Sequence, residues 1–359
     1  MEGVVMPLQT AFWRNKRVLL TGHTGFKGIW LALWLQRLGA QVTGLALAPA
    51  TSPHLFGAAG VAQGMSSHFG DLRDVQVVAD QVRAAQPEIV FHLAAQALVR
   101  ASYADPLGTY ATNVMGTAHL LEALRGHDSV KVAVMVTTDK VYRNLEQPYP
   151  YREHDPLGGH DPYSASKAAS EIVIASYRDA FLASQGVAVA SVRAGNVIGG
   201  GDWSGDRLIP DAVRAWQAGQ TLVIRSPLAT RPWQHVLEPV AGYLQLAQTL
   251  WDQPHLAGAY NFGPPTHAAA TVKYVVEMAC SAYGSGAACY EKNSNDNNLH
   301  EAHLLTLETA KARTVLGIEP RWTLVQSVGR SMAWYRAQHN GANARDLCLA
   351  DLKAFEVQP

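Results

Sequence analysis

Short apolar runs alternate along the first half of the chain with longer stretches of helical spacing. Arg17-Val18-Leu19-Leu20 leads through Thr21-Gly22-His23-Thr24-Gly25-Phe26-Lys27-Gly28 into an apolar segment, Ile29 to Leu38, so a strand, a glycine turn and a helix follow one another until Gly39. Gln41 to Leu47 reads as a second strand, Ser67 to Asp71 as a third with Val75 to Ala85 as its helix, and Pro87 to Leu93 as a fourth, largely apolar strand. Asp105-Pro106 sets a capping side chain before a proline suited to a first helical turn, predicting a helix to about Arg125; Asp161-Pro162 repeats the device for a helix through Ala180. Val130 to Val136 supplies a strand between them and Val187 to Arg193 a sixth. Apolar strands alternating with helices imply an α/β fold with a doubly wound parallel sheet, which the pattern predicts to be complete at the sixth strand.

From Ala194 the texture changes to a glycine-rich polar loop, Gly199-Gly200-Gly201-Asp202-Trp203, then a helix opening at Asp206 to Pro210, a strand-like Leu222 to Arg225, and helices at Leu237 to Trp251, Val272 to Tyr283 and Val325 to Arg336. This predicts a first domain over 1–195, with residues near 232–263 returning to it, and a smaller α/β lobe over 196–359. The last ten or so residues read as a partly ordered tail.

Composition narrows the classes. Hydrophobic residues make up 48% and charged ones 16% of 359, enough to fill a large core. Lys+Arg and Asp+Glu both total 29, and no basic run is interleaved with aromatics, so nucleic acid is not an expected partner. No stretch reads as a membrane span or signal peptide. Cys280, Cys289 and Cys348 lack metal-ligand spacing and read as reduced thiols of a cytoplasmic protein; neither they nor the histidines suggest a metal.

Candidate chemistry gathers at strand ends. Glycines at 22, 25 and 28 let the chain turn sharply, admit a diphosphate close to the backbone and present a helix N-terminus to it, with His23, Phe26 and Lys27 in the same turn. The end of the second strand, where an NAD site usually keeps a ribose-binding acid, carries Ala48; Thr51 or Ser52 can substitute, and no arginine stands there for a 2′-phosphate, so NAD is preferred over NADP. Asp71, with Leu72 beside it, suits either an adenine amine or a turn, and small residues after Leu93, namely Ala94 and Ala95, suit either a flat ligand or close packing. Asn113 inside a helix suits either a satisfied polar group or a cleft-facing one. Thr137-Thr138-Asp139-Lys140 crowds polar groups onto one strand end. Of the 13 tyrosines, Tyr163 alone has a lysine, Lys167, four residues on, which puts both side chains on one helix face.

Glycine turn, Thr138, Tyr163 and Lys167, in this order and spacing, resemble the extended short-chain dehydrogenase/reductase superfamily. Tyr163 would be the base, with Lys167 stabilising its phenolate and Thr138 bonding the hydroxyl oxidised. Longer runs, His23 to Gly28, Arg193 to Trp203, Asp206 to Asp211 and Arg231 to Pro239, resemble the CDP-glucose 4,6-dehydratase family, as does Asp139-Lys140 where dTDP-glucose relatives carry Asp-Glu. The resemblance implies a Rossmann-like domain holding NAD and a lobe holding the nucleotide sugar CDP-glucose. It also implies an internal redox cycle in which Asp139 is the acid and Lys140 the base of the elimination. Asn196, Arg207, Leu208, Arg225 and Arg231 are the expected substrate contacts, Glu301 and His303 suit either further pocket contacts or a structural turn, and a homodimer paired through the helices from Asp105 and Pro162 is the expected assembly.

Overall fold

The computed structural model describes residues 8–284, 290–292 and 304–358. In chain order the first strands are β1 (Arg17–Thr21), β2 (Gln41–Ala46), β3 (Ser66–Phe69), β4 (Ile89–His92), β5 (Val132–Val136) and β6 (Ala188–Ala194). Short strands β7 (Val197–Ile198), β8 (Leu222–Ile224), β9 (Thr230–Arg231) and β10 (Gln234–His235) follow, then β11 (Gly258–Phe262). Helices α1 (Thr10–Trp13), α2 (Phe26–Arg37), α3 (Leu55–Ala58), α4 (Val75–Ala85), α5 (Val99–Ala104), α6 (Pro106–Tyr110), α7 (Gly116–Leu124) and α8 (Pro162–Tyr177) accompany the sheet. Beyond them lie α9 (Leu208–Gln217), α10 (Leu237–Asp252), α11 (Val272–Tyr283), α12 (Ala310–Leu316), α13 (Leu324–His339) and α14 (Ala344–Glu356).

The central sheet is parallel throughout, in the order β11-β6-β5-β4-β1-β2-β3. Strand order reverses direction between β1 and β4, and ligand crevices of such sheets open at that point, beyond the carboxyl ends of the strands. Alternate side chains serve opposite faces. Val18 and Leu20 join the core with Trp30 and Trp34 of α2 and Leu244 of α10, while Leu19 joins the core with Val78 of α4, Leu120 of α7 and Ile174 of α8.

Three expectations need correction. The sheet does not stop at β6, because β11 pairs with it from Gly258↔Ala190 to Phe262↔Ala194. This strand escapes the apolar pattern since it carries a buried Asn261 between Tyr260 and Phe262. Nor do the last residues trail off: Cys348, Leu352 and Phe355 lie one helical turn apart and are fully buried, and Arg37 of α2 clasps Glu356 at 2.9 Å. Finally, Cys348 is a buried free thiol but Cys280 is disulfide-bonded, a bridge that requires two sulfurs within reach whatever their spacing in sequence.

The glycine-rich loop after β7 is a packing device. A Cβ on Gly200 would stand 2.1 Å from the Trp334 indole of α13, and Trp30 of α2 donates its ring N–H to the Gly200 carbonyl at 3.1 Å. The loop thereby joins the helix of the glycine turn to the C-terminal helices.

Buried histidines give the fold an acid limit. Burial holds His23 down at about 4 and, with Lys167 and Arg330 adding their charges, His92 and His235 at about 3. Each folded value lies below the ordinary one, so the stability these groups contribute is present above their unfolded pKa of about 6.5 and is lost as pH falls below it. Glu238 and Asp351, pushed up by burial to about 7 and about 6, act in the opposite sense over the same range. With three histidines against two acids, stability is expected to fall between pH 7 and 5, read as a lowered urea midpoint; a midpoint that rises over that interval contradicts it.

Candidate active site

The turn from β1 to α2 is shaped by two glycines and left open by a third. Gly22 has φ +79°, and a Cβ there would lie 2.6 Å from the Ala94 backbone nitrogen, so Leu93 and Ala94 after β4 close directly over it. At Gly28 a Cβ would come within 2.0 Å of the Gly22 carbonyl oxygen. Gly25 is different. Its Cβ would make an ordinary 3.4 Å contact, and as N-cap of α2 it supplies no side-chain bond to the first helical N–H groups. Nothing in the packing of the described residues demands glycine at 25, and the uncapped N-terminus there is open to the approach of an anion.

The remaining cofactor candidates divide. His23 turns its ring into the sheet, fully buried against Gly44, with Nε2 2.7 Å from the Ser67 hydroxyl, and leaves its main chain to the turn. Leu72 is buried and Asp71 is engaged with Arg73, which donates to it from backbone and guanidinium at 2.5 to 2.9 Å. Ala48 is exposed at the end of β2, beside the Leu47 carbonyl that accepts the Thr24 hydroxyl at 2.8 Å. Ala95 and Phe26 are half-buried at the same strand ends, and Lys27 lies close enough to Lys167 to affect its charge.

A cavity of about 900 Å³ opens beside this crevice. Thr138, Asp139, Lys140 and Tyr163 line it together with Asn196, Arg207, Leu208, Arg225 and Arg231, so residues far apart in sequence meet in one space. Glu301 and His303 fall outside the described residues. Local structure explains the meeting. β5 ends at Val136, and Thr138 caps a single helical turn, accepting from the Lys140 N–H at 3.4 Å. Asp161 caps α8 by accepting from the Ser164 N–H at 2.9 Å, which presents Tyr163 in the first turn.

Cations outnumber acids around the cavity, which Asp139, Asp161, Asp206 and Asp211 also line. Lys167 is buried and donates to the Val136 carbonyl at 3.2 Å. Burial and the neighbouring Lys27 lower it to about 7 against the pull of Glu171. Lys27 is itself lowered to about 8, by burial and Arg207. Burial likewise depresses Lys140, with Asp139 opposing and Arg231 and Arg207 assisting. Burial raises the Tyr163 phenol, while Arg207 and Thr138 pull it back in part. Asp139 is the acid among these groups: its Oδ1 accepts the Thr138 hydroxyl at 3.0 Å, and its buried Oδ2 has no hydrogen-bond partner among the described residues. A buried phenol that Arg207 and Thr138 draw part of the way back toward ionisation, a lysine shifted toward its neutral form and a carboxyl oxygen with no partner among the described residues make a site for proton transfers on a bound alcohol. Beside the glycine cradle, such a site can couple them to hydride chemistry.

The choice left open for Asn113 resolves to a satisfied polar group, while other supporting groups escaped sequence reasoning. Asn113 is fully satisfied, with Gln96 on both sides of its amide and Ser166 accepting at 2.8 Å, and it sits in a π-helical turn, Ala111–Met115. Asp161, Gly195 and Trp233 line the cavity, and Glu171 and Arg193 form a buried ion pair behind it. Lone polar residues within apolar stretches were the available signal.

A family profile described as GDP-mannose 4,6 dehydratase matches residues 19–331. The CDP-glucose 4,6-dehydratase of Salmonella typhimurium is 47% identical over 336 residues, spanning 92% of this chain and 93% of that one. The dTDP-glucose 4,6-dehydratase of Streptomyces antibioticus is 31% identical over 74% of this chain and 75% of its own. Among solved structures, the dTDP-glucose 4,6-dehydratase of Bacillus anthracis in complex with NAD shares the fold with a TM-score of 0.75 at 21% identity, covering 90% of this chain and 97% of that one. The chain therefore belongs to the nucleotide-sugar 4,6-dehydratase family within the extended short-chain dehydrogenases/reductases, alongside the CDP-glucose 4,6-dehydratases.

Proposed function

We propose that this protein is an NAD-dependent hydro-lyase that converts CDP-D-glucose to CDP-4-keto-6-deoxy-D-glucose. The observation that carries the reading is the convergence of Tyr163, Asp139 and Lys140 on one cavity with Arg207, Arg225 and Arg231, a set of cations suited to a diphosphate. NAD, when bound in the cradle of Gly22, Gly25 and Gly28, supplies the oxidant for C4 and, once reduced, the reductant for C6. Tyr163 takes the proton from the sugar O4 while Thr138 orients that oxygen. The resulting ketone acidifies C5–H, neutral Lys140 removes that proton, and Asp139 gives its own to the C6 hydroxyl, which leaves as water. Lys140 then returns a proton to C5, so the hexose loses one water and no external reductant is consumed.

The direct test is mass spectrometry of purified protein incubated with CDP-, dTDP-, UDP- and GDP-glucose, with and without NAD+. Loss of one water from CDP-glucose is the expected result; no loss from any of them refutes the reading.

The cradle can be tested by itself. Gly28→Ala lowers the thermal midpoint, because overpacking against the Gly22 carbonyl costs about 1–3 kcal/mol. Gly25→Ala leaves the midpoint in place but weakens NAD+ binding by about tenfold or more in calorimetric titration, since its methyl stands over the uncapped helix. Equal NAD+ affinity in Gly25→Ala and wild type contradicts this placement.

The assembly is a homodimer on this reading. Leu107, Tyr110 and Met115 on the α6–α7 stretch and Ile172 and Phe181 on and after α8 are exposed apolar side chains on the helices expected to pair. Ile172→Glu is expected to yield monomers in sedimentation at concentrations where the parent chain is dimeric; an unchanged sedimentation coefficient contradicts the interface. Among the described residues no helix is long and apolar enough to cross a membrane. We place the enzyme in the cytoplasm, where its substrate and cofactor are at hand, supplying deoxysugars for surface polysaccharides such as O-antigen. The cysteines do not support that location, since Cys280 is bonded.

A further inference from the structure

Behind the cavity wall lies a pair of charges that the steps above do not use. Glu171, one turn beyond Lys167 on α8, and Arg193 on β6 have side chains 3% and 4% exposed and meet at 2.8 Å. Glu171 Oε1 accepts the Thr137 hydroxyl at 2.5 Å and Arg193 Nε–H at 3.0 Å, and Oε2 accepts the Ser191 hydroxyl at 2.7 Å. From its other nitrogen Arg193 donates to the Tyr142 hydroxyl at 2.9 Å and the Glu153 carbonyl at 3.1 Å, while Tyr142 donates to Asn261 of β11 at 2.6 Å. Burial opposes the charge on Glu171, but its bonds from Arg193, Thr137 and Ser191 outweigh it and hold the carboxyl below its ordinary range.

An ion pair this deep is weak evidence for stability, because desolvation offsets most of the attraction. Its contacts say more. Thr137 and Tyr142 are the residues on either side of Thr138-Asp139-Lys140-Val141, so one end of the pair grips the chain before the reactive segment and the other end grips it after. The carboxylate rides on the same helix as Tyr163 and Lys167.

We propose that Glu171 and Arg193 are positioning residues that clamp Thr137 and Tyr142, fixing Thr138, Asp139 and Lys140 against Tyr163 and Lys167. The role rests on the proposed dehydratase reading for its chemistry, though the clamp itself does not. Misplacing a reacting group by about 1 Å can cost ~10²-fold in rate, so a clamp of this kind acts on turnover more than on binding.

Two substitutions release one tether each while leaving the ion pair in place: Thr137→Val and Tyr142→Phe. In the full-length chain, each is expected to speed amide hydrogen exchange of residues 138–141 by about tenfold, with exchange in α13 unchanged. With CDP-glucose, kcat is expected to fall about tenfold in each and ~10²-fold in the double variant, with KM within about twofold of the parent value. Thr137→Ser keeps the hydroxyl and is expected to restore both readings. Unchanged exchange at 138–141 overturns the proposal, as does an unchanged kcat or a Thr137→Ser as impaired as Thr137→Val. Should the parent chain turn over no CDP-glucose, the function reading fails and exchange alone decides the clamp: faster exchange confined to 138–141 supports it, and parent-like exchange refutes it.

Discussion

Tyr163→Phe lowers kcat for CDP-glucose dehydration by about 10³-fold or more, within the range general-base catalysis contributes, while KM and NAD+ affinity stay within about twofold. The ring is buried, 8% exposed, and phenylalanine fills the same space, so the variant loses a hydroxyl and little packing. Burial raises the phenol while Arg207 and the Thr138 hydroxyl pull it back in part, the perturbed setting expected of a group that exchanges protons with a ligand. Lys167, lowered to about 7, shares the proton economy of the site. Steady-state rates and isothermal titration check both halves; retention of a tenth of the parent kcat contradicts the assignment.

Asp139→Asn and Lys140→Met separate the elimination from the oxidation that precedes it. Both are expected to reduce product formation by ~10²-fold or more while reduced nicotinamide still accumulates, because neither residue is needed to take the O4 proton. They differ at C5. With Lys140 intact, Asp139→Asn continues to exchange the C5 hydrogen with solvent deuterium, whereas Lys140→Met loses that exchange. The physical basis lies within one turn: Oδ2 of Asp139 is buried and unpartnered among the described residues, and Lys140 is depressed by burial and by Arg231 and Arg207 toward the neutral form a base requires. Nuclear magnetic resonance of the substrate in deuterium oxide reads the exchange; exchange that persists in Lys140→Met reassigns the base.

Much of this was legible because local chemistry and global architecture agree over β1 to β6. Apolar runs of strand length in β1, β4, β5 and β6, Asp-Pro caps at α6 and α8 and glycine punctuation mark most of the sheet, and the strand ends that carry Thr138 and the glycine turn follow from it. Asn196, Arg207, Leu208, Arg225 and Arg231 were placed in one pocket through family likeness; periodicity alone does not bring residues from separate loops together. What escaped was stabilised by distant partners. β11 shows two large side chains and an asparagine, and reads as a strand once the open edge of β6 is known to need pairing. The final helix carries a modest apolar stripe whose meaning depends on Trp34 and Trp322, each edge-on to Phe355. Glu171 and Arg193 look like ordinary charges in sequence, and their burial appears only when α8 docks on β6.

The measurement that tests the central claim most directly uses CDP-glucose deuterated at C4. If one active site oxidises C4, expels the C6 hydroxyl as water and reduces C6, the product is one water lighter and carries the deuterium at C6, with no net change in cofactor. Product that has lost the water but not the label transfer, or label retained at C4 in unchanged or epimerised hexose, contradicts an internal redox dehydration.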